Sequence, residues 1–199
     1  MTHQLKPATT AIARFQDYAH RLNDALMAAD WATIETLGRA LQDCLHTGKQ
    51  VFLCGNGGSA GNALHIVNDF FYGVTKKRGP GLRATALPGN VSLLTCLAND
   101  EGYASIYALQ LETLANPGDV LIVLSGSGNS PNIVEALLQA RKIGMTSFAI
   151  LGYSGGKAKA LADHPLHFAV DDMQIAEDVQ LIVGHMLMQW LYGAEAGAE

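Results

Sequence analysis

From residue 49 onward the chain predicts an α/β domain, a mostly parallel five-stranded sheet covered by helices on both faces. Three observations carry that expectation. Short apolar runs alternate with helix-length segments, the pattern of a parallel sheet whose strands are buried on both sides. Two of the runs end in turns rich in glycine and serine that lead straight into helices. The chain has 199 residues, of which 49% are hydrophobic, enough for one domain with a full core.

The elements follow in order. Ile12, Phe15, Ala19, Leu22 and Leu26 recur at steps of three and four, the seam of a packed helix. Asp30 is placed to cap a second helix that carries Ile34, Leu37, Leu41 and Leu45, and Gly48 to stop it. Residues 1–48 thus read as a helical hairpin, packed on its own subunit or against another, ahead of an α/β core at 49–199. Strands are expected at 51–54, 84–87, 120–124, 146–151 and 167–170. Helices are expected at 59–72, 90–98, 103–114, 131–143, 156–162 and 176–192. No linker or low-complexity tract divides them, so residues 1–199 read as a single domain.

The first turn is Gly55-Asn56-Gly57-Gly58-Ser59, behind the apolar run Val51–Cys54. Its glycines let backbone N–H groups approach a ligand, and the helix behind it favours an anion. The second is Ser125-Gly126-Ser127-Gly128-Asn129-Ser130, with Pro131 next, so Ser130 reads as an N-cap. Two such turns at strand C-termini, with Ser59, Ser125, Ser127 and Ser130 between them, point to one shared anionic site. Gly55-Asn-Gly57-Gly-Ser-Ala60 also fits the dinucleotide fingerprint. That reading wants an acid ending the next strand, and Ala84-Thr-Ala-Leu87 has none, so a dehydrogenase is set aside.

His65 and Asp69 lie four apart on one helix face. Glu177, Gln180 and His185 interrupt a very apolar final helix, where polar groups need partners. Glu177 and His185 are separated by ~12 Å of helix and share a metal only if their side chains lean together, with Gln180 between them in height. Two imidazoles with two carboxylates suit Zn²⁺ or a similar divalent ion. Spacing alone does not join the two helices.

Other classes are excluded by composition. Net charge is −5, and the lone basic cluster Lys76-Lys77-Arg78 reads as a solvated loop, so no nucleic acid is expected. No apolar run reaches the ~18 residues of a membrane span. No secretory signal opens the sequence, and Cys44, Cys54 and Cys96 read as reduced core thiols, so a cytoplasmic location is expected. Charged residues make up only 16%, which predicts surface buried between subunits.

The CGNGGSA…H turn, the LSGSGNSPN turn and the Asn99-Asp100 pair resemble the sugar isomerase (SIS) domain family, and within it the bacterial phosphoheptose isomerases, over nearly the whole chain. The resemblance implies a three-layer αβα sandwich, a homotetramer with shared sites, and interconversion of sedoheptulose 7-phosphate with a heptose 7-phosphate. It implies that Asn56, Gly57, Gly58 and Ser59 line the substrate site and that Ser125, Gly126, Ser127 and Ser130 hold the phosphate. It also implies that Asn99 and Asp100 contact sugar hydroxyls and that a zinc ion sits on His65, Asp69, Glu177 and His185. Such isomerases usually carry Glu at the position of Asp69 and Gln at that of Glu177. Asp69 is the candidate base and His185 its partner acid in an enediol mechanism. Rival expectations are a non-catalytic phosphosugar sensor, a tetrameric adaptor for a replication-initiation protein, or an isomerase of another phosphosugar.

Overall fold

The computed structural model describes residues 10–196. Both ends of the expected single domain, 1–9 and 197–199, lie outside the described residues. Strands β1 (Gln50–Gly55), β2 (Arg83–Ala86), β3 (Val120–Ser125), β4 (Thr146–Leu151) and β5 (His164–His167) form one sheet in the order β2-β1-β3-β4-β5. Every neighbouring pair is parallel, so the sheet is wholly rather than mostly so. The helices are α1 (Ala11–Met27), α2 (Trp31–Thr47), α3 (Gly58–Asn68), α4 (Val91–Asp100), α5 (Ala108–Leu114), α6 (Pro131–Ile143), α7 (Gly156–Leu161) and α8 (Met173–Ala196).

Side chains alternate between the two faces of each strand. Val51, Leu53, Ile122, Leu124, Phe148 and Ile150 join one core with residues of α2, α3 and α8. Phe52, Cys54, Leu121, Val123, Ala149 and Leu151 join another with α5, α6 and α7. Both faces are covered, which is why the strands read as unbroken apolar runs, and the result is three layers. Among the described residues no helix is long and apolar enough to cross a membrane.

The N-terminal hairpin forms as its caps dictate. Asp30 Oδ1 accepts from the Thr33 N–H at 3.2 Å, and Gly48 ends α2 in the left-handed region. The seam of α1 is only half covered. Leu22 and Leu26 pack on the core, whereas Ile12 and Phe15 stay 67% and 71% exposed. Two polar contacts dock α1: the Tyr18 hydroxyl donates to Asp178, and Arg21 Nη1 lies 2.6 Å from Asp172 Oδ2.

Three boundaries differ from expectation. The last strand is 164–167, not 167–170. Pro165 reads as a strand breaker, but β5 is an edge strand bonded only to β4, where proline is tolerated. The apolar segment after it still bonds Phe168 N–H to Leu151 O at 2.8 Å, which explains its strand-like look. The expected helix at 103–114 is divided into a 3₁₀ turn, Tyr103–Ser105, and α5. The last helix starts at Met173 because Asp172 Oδ1 accepts from the N–H groups of Gln174 and Ile175. Cys44 and Cys54 are buried as expected, but Cys96 is exposed.

The contact that positions the site is between α3 and α8. Gly58 meets Glu177, Asn62 bonds the Glu177 carbonyl and Gln180, Ile66 meets Gly184, and Gly73 meets Met188. The numbers rise together, so the helices run parallel. Their close approach rests on Gly184, where a Cβ would stand 2.6 Å from Ile66 Cγ1.

Two outcomes follow. Gly184→Val overpacks the crossing and should cost about 1–3 kcal/mol, seen as a fall of about 3–10 °C in the thermal midpoint. Burial pushes the Asp172 carboxyl up, but the hydrogen bond and charge of Arg21 together with the Ile175 and Gln174 N–H groups outweigh this and hold it below the usual carboxylate range. A depressed folded pKa gives stability that is present above the unfolded value of about 3.9 and lost as pH falls through the folded one. Arg21→Met should therefore lower the midpoint by about 2–4 °C at pH 7, and the difference from the parent should close near pH 2 in circular dichroism melts.

Candidate active site

β1 and β3 are neighbours with Gly55 opposite Leu124, so the turns that follow them leave the same sheet edge about 4.8 Å apart. That is the carboxyl edge, where open α/β sheets take ligands. In the first turn Gly57 has φ +57° and ψ −122°, a conformation strained for any other residue. Ser59 is buried just inside α3. The Asn56 amide is held on three sides. It exchanges two hydrogen bonds with the Asn132 amide, at 2.9 and 2.8 Å, and its Oδ1 also accepts from the Tyr103 hydroxyl at 2.9 Å. Asn132 is fully buried in the first turn of α6, so this amide pair ties the first turn to the helix that follows the second. Neither Asn132 nor Tyr103 is among the sequence candidates. The one signal was a polar residue at a helix start that proved to be fully buried.

The second turn folds on itself and on its neighbour. Ser125 Oγ accepts from Gly128 N–H at 3.0 Å and Ser127 Oγ from Asn129 N–H at 3.3 Å. Gly128 has φ +65°, and a Cβ there would collide with the Gly155 carbonyl. The Gly152 N–H donates to Gly126 O at 3.0 Å and the Ala158 N–H to Gly128 O at 2.9 Å, so the turn is braced by the segment after β4. Ser130 stands at the N-cap position of α6, but its hydroxyl makes no capping bond, contrary to the sequence reading. Asn99 and Asp100 end α4, both exposed, with Asn99 Nδ2 donating to Asp100 Oδ1 at 2.7 Å.

The parallel crossing of α3 and α8 brings together His65, Asp69 and His185. The two Nε2 atoms face each other at 3.0 Å, and each lies 3.5 Å from Asp69 Oδ2. Tetrahedral zinc with bonds of about 2.0–2.1 Å has donor–donor edges of about 3.3 Å, so these three donors fit such an ion within a few tenths of an ångström. Asp69 opens a π-helical turn, Asp69–Gly73, that continues α3, an irregularity frequent at functional sites. Its Oδ2 reaches both imidazoles despite the shorter side chain. The imidazoles are half exposed and Asp69 largely covered, so the cluster opens to solvent on the histidine side.

Glu177 stands apart from the trio. Its carboxylate lies against Gly58, where a Cβ would strike it. Gln180 is fully buried, with Oε1 accepting from Asn62 at 3.1 Å. Its Nε2 is the single buried side-chain polar atom without a partner among the described residues. The four sequence-derived ligands are thus three gathered and one at the first turn.

The fold belongs to a known class. The chain is a member of the SIS domain family, whose model matches residues 14–152. The curated relatives it resembles include a phosphoheptose isomerase of Akkermansia muciniphila, 37% identical over 165 residues that cover 83% of this chain and 85% of that protein. One from Desulfovibrio desulfuricans is 35% identical, covering 85% of this chain and 80% of that one. Among solved structures, a phosphoheptose isomerase from Francisella tularensis superposes with a TM-score of 0.85 at 28% identity, covering 92% of this chain and 99% of that one.

Asn132→Ala leaves Asn56 with Tyr103 alone and opens a buried gap in the amide pair. It should cost about 1–3 kcal/mol in denaturant unfolding, with the slope against denaturant unchanged.

Proposed function

We propose that this chain is an aldose–ketose isomerase of phosphorylated sugars that interconverts sedoheptulose 7-phosphate and D-glycero-D-manno-heptose 7-phosphate. The observation that carries this reading is the meeting of His65, Asp69 and His185 on two helices that also flank the first glycine turn. The identity of 35–37% to phosphoheptose isomerases over most of both chains supports the substrate class. A sensor or an adaptor has no chemical need for two imidazoles converging on a carboxylate.

The backbone and hydroxyls of Ser125–Ser130 bind the phosphate, and that binding energy orients the reacting end of the sugar. Asn56, fixed by Asn132 and Tyr103, presents its amide at the edge of the same turn. Isomerisation moves one carbon-bound proton to the neighbouring carbon through an enediol, with an oxygen proton moving the opposite way and no net redox change. Asp69 turns Oδ2 to the imidazoles and takes the carbon proton at Oδ1. His185, whose Nε2 belongs to the three-donor set, exchanges the oxygen proton at Nδ1. A divalent ion held by His65, Asp69 and His185, Zn²⁺ by the donor chemistry and one per subunit, would supply Lewis-acid polarisation of the sugar carbonyl.

We also infer a homotetramer. The open apolar end of α1, Ile12 and Phe15, and the exposed Trp31 supply surface for subunit contact.

Conversion of sedoheptulose 7-phosphate should be followed with and without a chelator. Asp69→Asn and His185→Ala should each lose about 10²–10⁴ in kcat. Full turnover by the Asp69→Ala, His185→Ala double variant would end this assignment of roles. Native mass spectrometry should find four subunits and about one zinc per subunit.

A further inference from the structure

Tyr153 follows β4 by two residues, at the same carboxyl edge as the two glycine turns. Its backbone φ is +44°, in the left-handed region, which a bulky residue rarely occupies. Such strain persists only where the surroundings over-determine it, and it clusters at ligand clamps. Here the determinants are visible. The Tyr153 N–H donates to Val170 O at 2.9 Å, and the Tyr153 carbonyl lies 2.9 Å from His167 Nε2. A carbonyl only accepts, so His167 carries its proton on Nε2. Its Nδ1 is then an acceptor, and Lys159 Nζ fills it at 3.0 Å.

This support aims the ring at the second turn. Tyr153 Cε2, next to the carbon that bears the hydroxyl, lies 3.6 Å from where a Cβ on Gly126 would stand, and Met173 Sδ and Cε crowd the same point. The phenol end therefore hangs over Gly126, inside the turn that the phosphosugar reading assigns to the phosphate. Burial, and then the charges of Asp171, Asp172 and Glu177, push the phenol pKa up. The group is a neutral O–H donor across the physiological range.

We propose that Tyr153 is a further substrate-binding residue, its phenol donating a hydrogen bond to the phosphoryl group held on Ser125–Ser130, and that His167, itself fixed by Lys159, is the residue that positions it. This rests on the phosphosugar reading of the second turn but not on the isomerase chemistry. A hydroxyl donor on the rim adds to the backbone donors a contact to a charged oxygen, which distinguishes a phosphoryl group from a neutral hydroxyl at that place.

The test is calorimetric titration of the intact protein with inorganic phosphate, together with KM and kcat for sedoheptulose 7-phosphate. Tyr153→Phe removes only the hydroxyl and leaves the strained backbone as it is. It should weaken phosphate binding and raise KM by about tenfold each, with kcat falling no more than about twofold. His167→Ala should move both in the same direction. His167→Gln, whose amide can still donate to the Tyr153 carbonyl, should recover most of the loss. Phosphate affinity within twofold of the parent in Tyr153→Phe, while Ser127→Ala loses it, overturns the proposal. Equal loss in the alanine and glutamine variants of His167 overturns its positioning role. A parent chain that binds no phosphate overturns both this proposal and the phosphate turn, whereas phosphate binding without isomerisation leaves this proposal standing and removes only the reaction.

Discussion

The parallel crossing of α3 and α8 is the constraint on which the rest depends. The two histidines are 120 positions apart in sequence, and no local rule brings them together. What does is a ladder of contacts along the crossing, Gly58 to Glu177, Asn62 to Glu177 and Gln180, Ile66 to Gly184. Each rung fixes the rotation and the height of one helix on the other. A glycine at 184 sets the separation, because any side chain there would push the axes apart and move Nε2 of His185 away from Asp69. Asn62 fixes the rotation with bonds to both a backbone carbonyl and a side chain of α8. The site is thus a product of helix packing, and the packing residues are as much part of it as the imidazoles.

The crossing also explains why the four polar residues divide. Glu177 and His185 sit about two turns apart on α8. Glu177 falls at the start of α3, where the helix dipole favours a negative charge. His185 falls opposite His65 one turn before the π-helical segment. Asp69 reaches the imidazoles from the first residue of that segment. Its Oδ2 lies 3.5 Å from each Nε2.

Much of this was legible in the sequence, and the limits have physical causes. Strand and helix order could be read because apolar runs buried on both faces differ sharply from amphipathic helices. Gly48, Gly144 and the cap at Asp30 marked ends that backbone conformation then confirmed. The turn residues Asn56 to Ser59 and Ser125 to Ser130 stood out because glycine and serine clusters between strand and helix have few other uses. β5 was misplaced because proline and histidine disguise an edge strand, and the apolar segment beyond it bonds to the same neighbour. Asn132 and Tyr103 were missed because their importance is relational. An asparagine in the first turn of a helix looks solvated until its partner across the sheet edge is known. Tyr153 was missed for a similar reason, since positive φ at a non-glycine residue leaves no mark in the sequence.

The arrangement separates two tasks onto two kinds of structure. The second turn holds its serines and glycines through backbone bonds to the segment after β4, so it is braced as one unit, and on the proposed reading that unit meets only the phosphoryl group. Such a surface cannot tell one sugar phosphate from another, because every one of them brings the same group. Discrimination has to come from side chains that touch the variable part of the ligand. On the proposed reading those are Asn56, locked by two partners, and Glu177, whose carboxyl group lies against Gly58 at the first turn. An amide both donates and accepts, whereas a carboxylate only accepts, so the proposed reading gives position 177 a preference for hydroxyl donors on the ligand. On the proposed reading the choice of sugar falls to the α3–α8 end and the choice of a phosphorylated ligand to the β3–α6 end, and the Asn56–Asn132 pair ties the first turn to α6 between them.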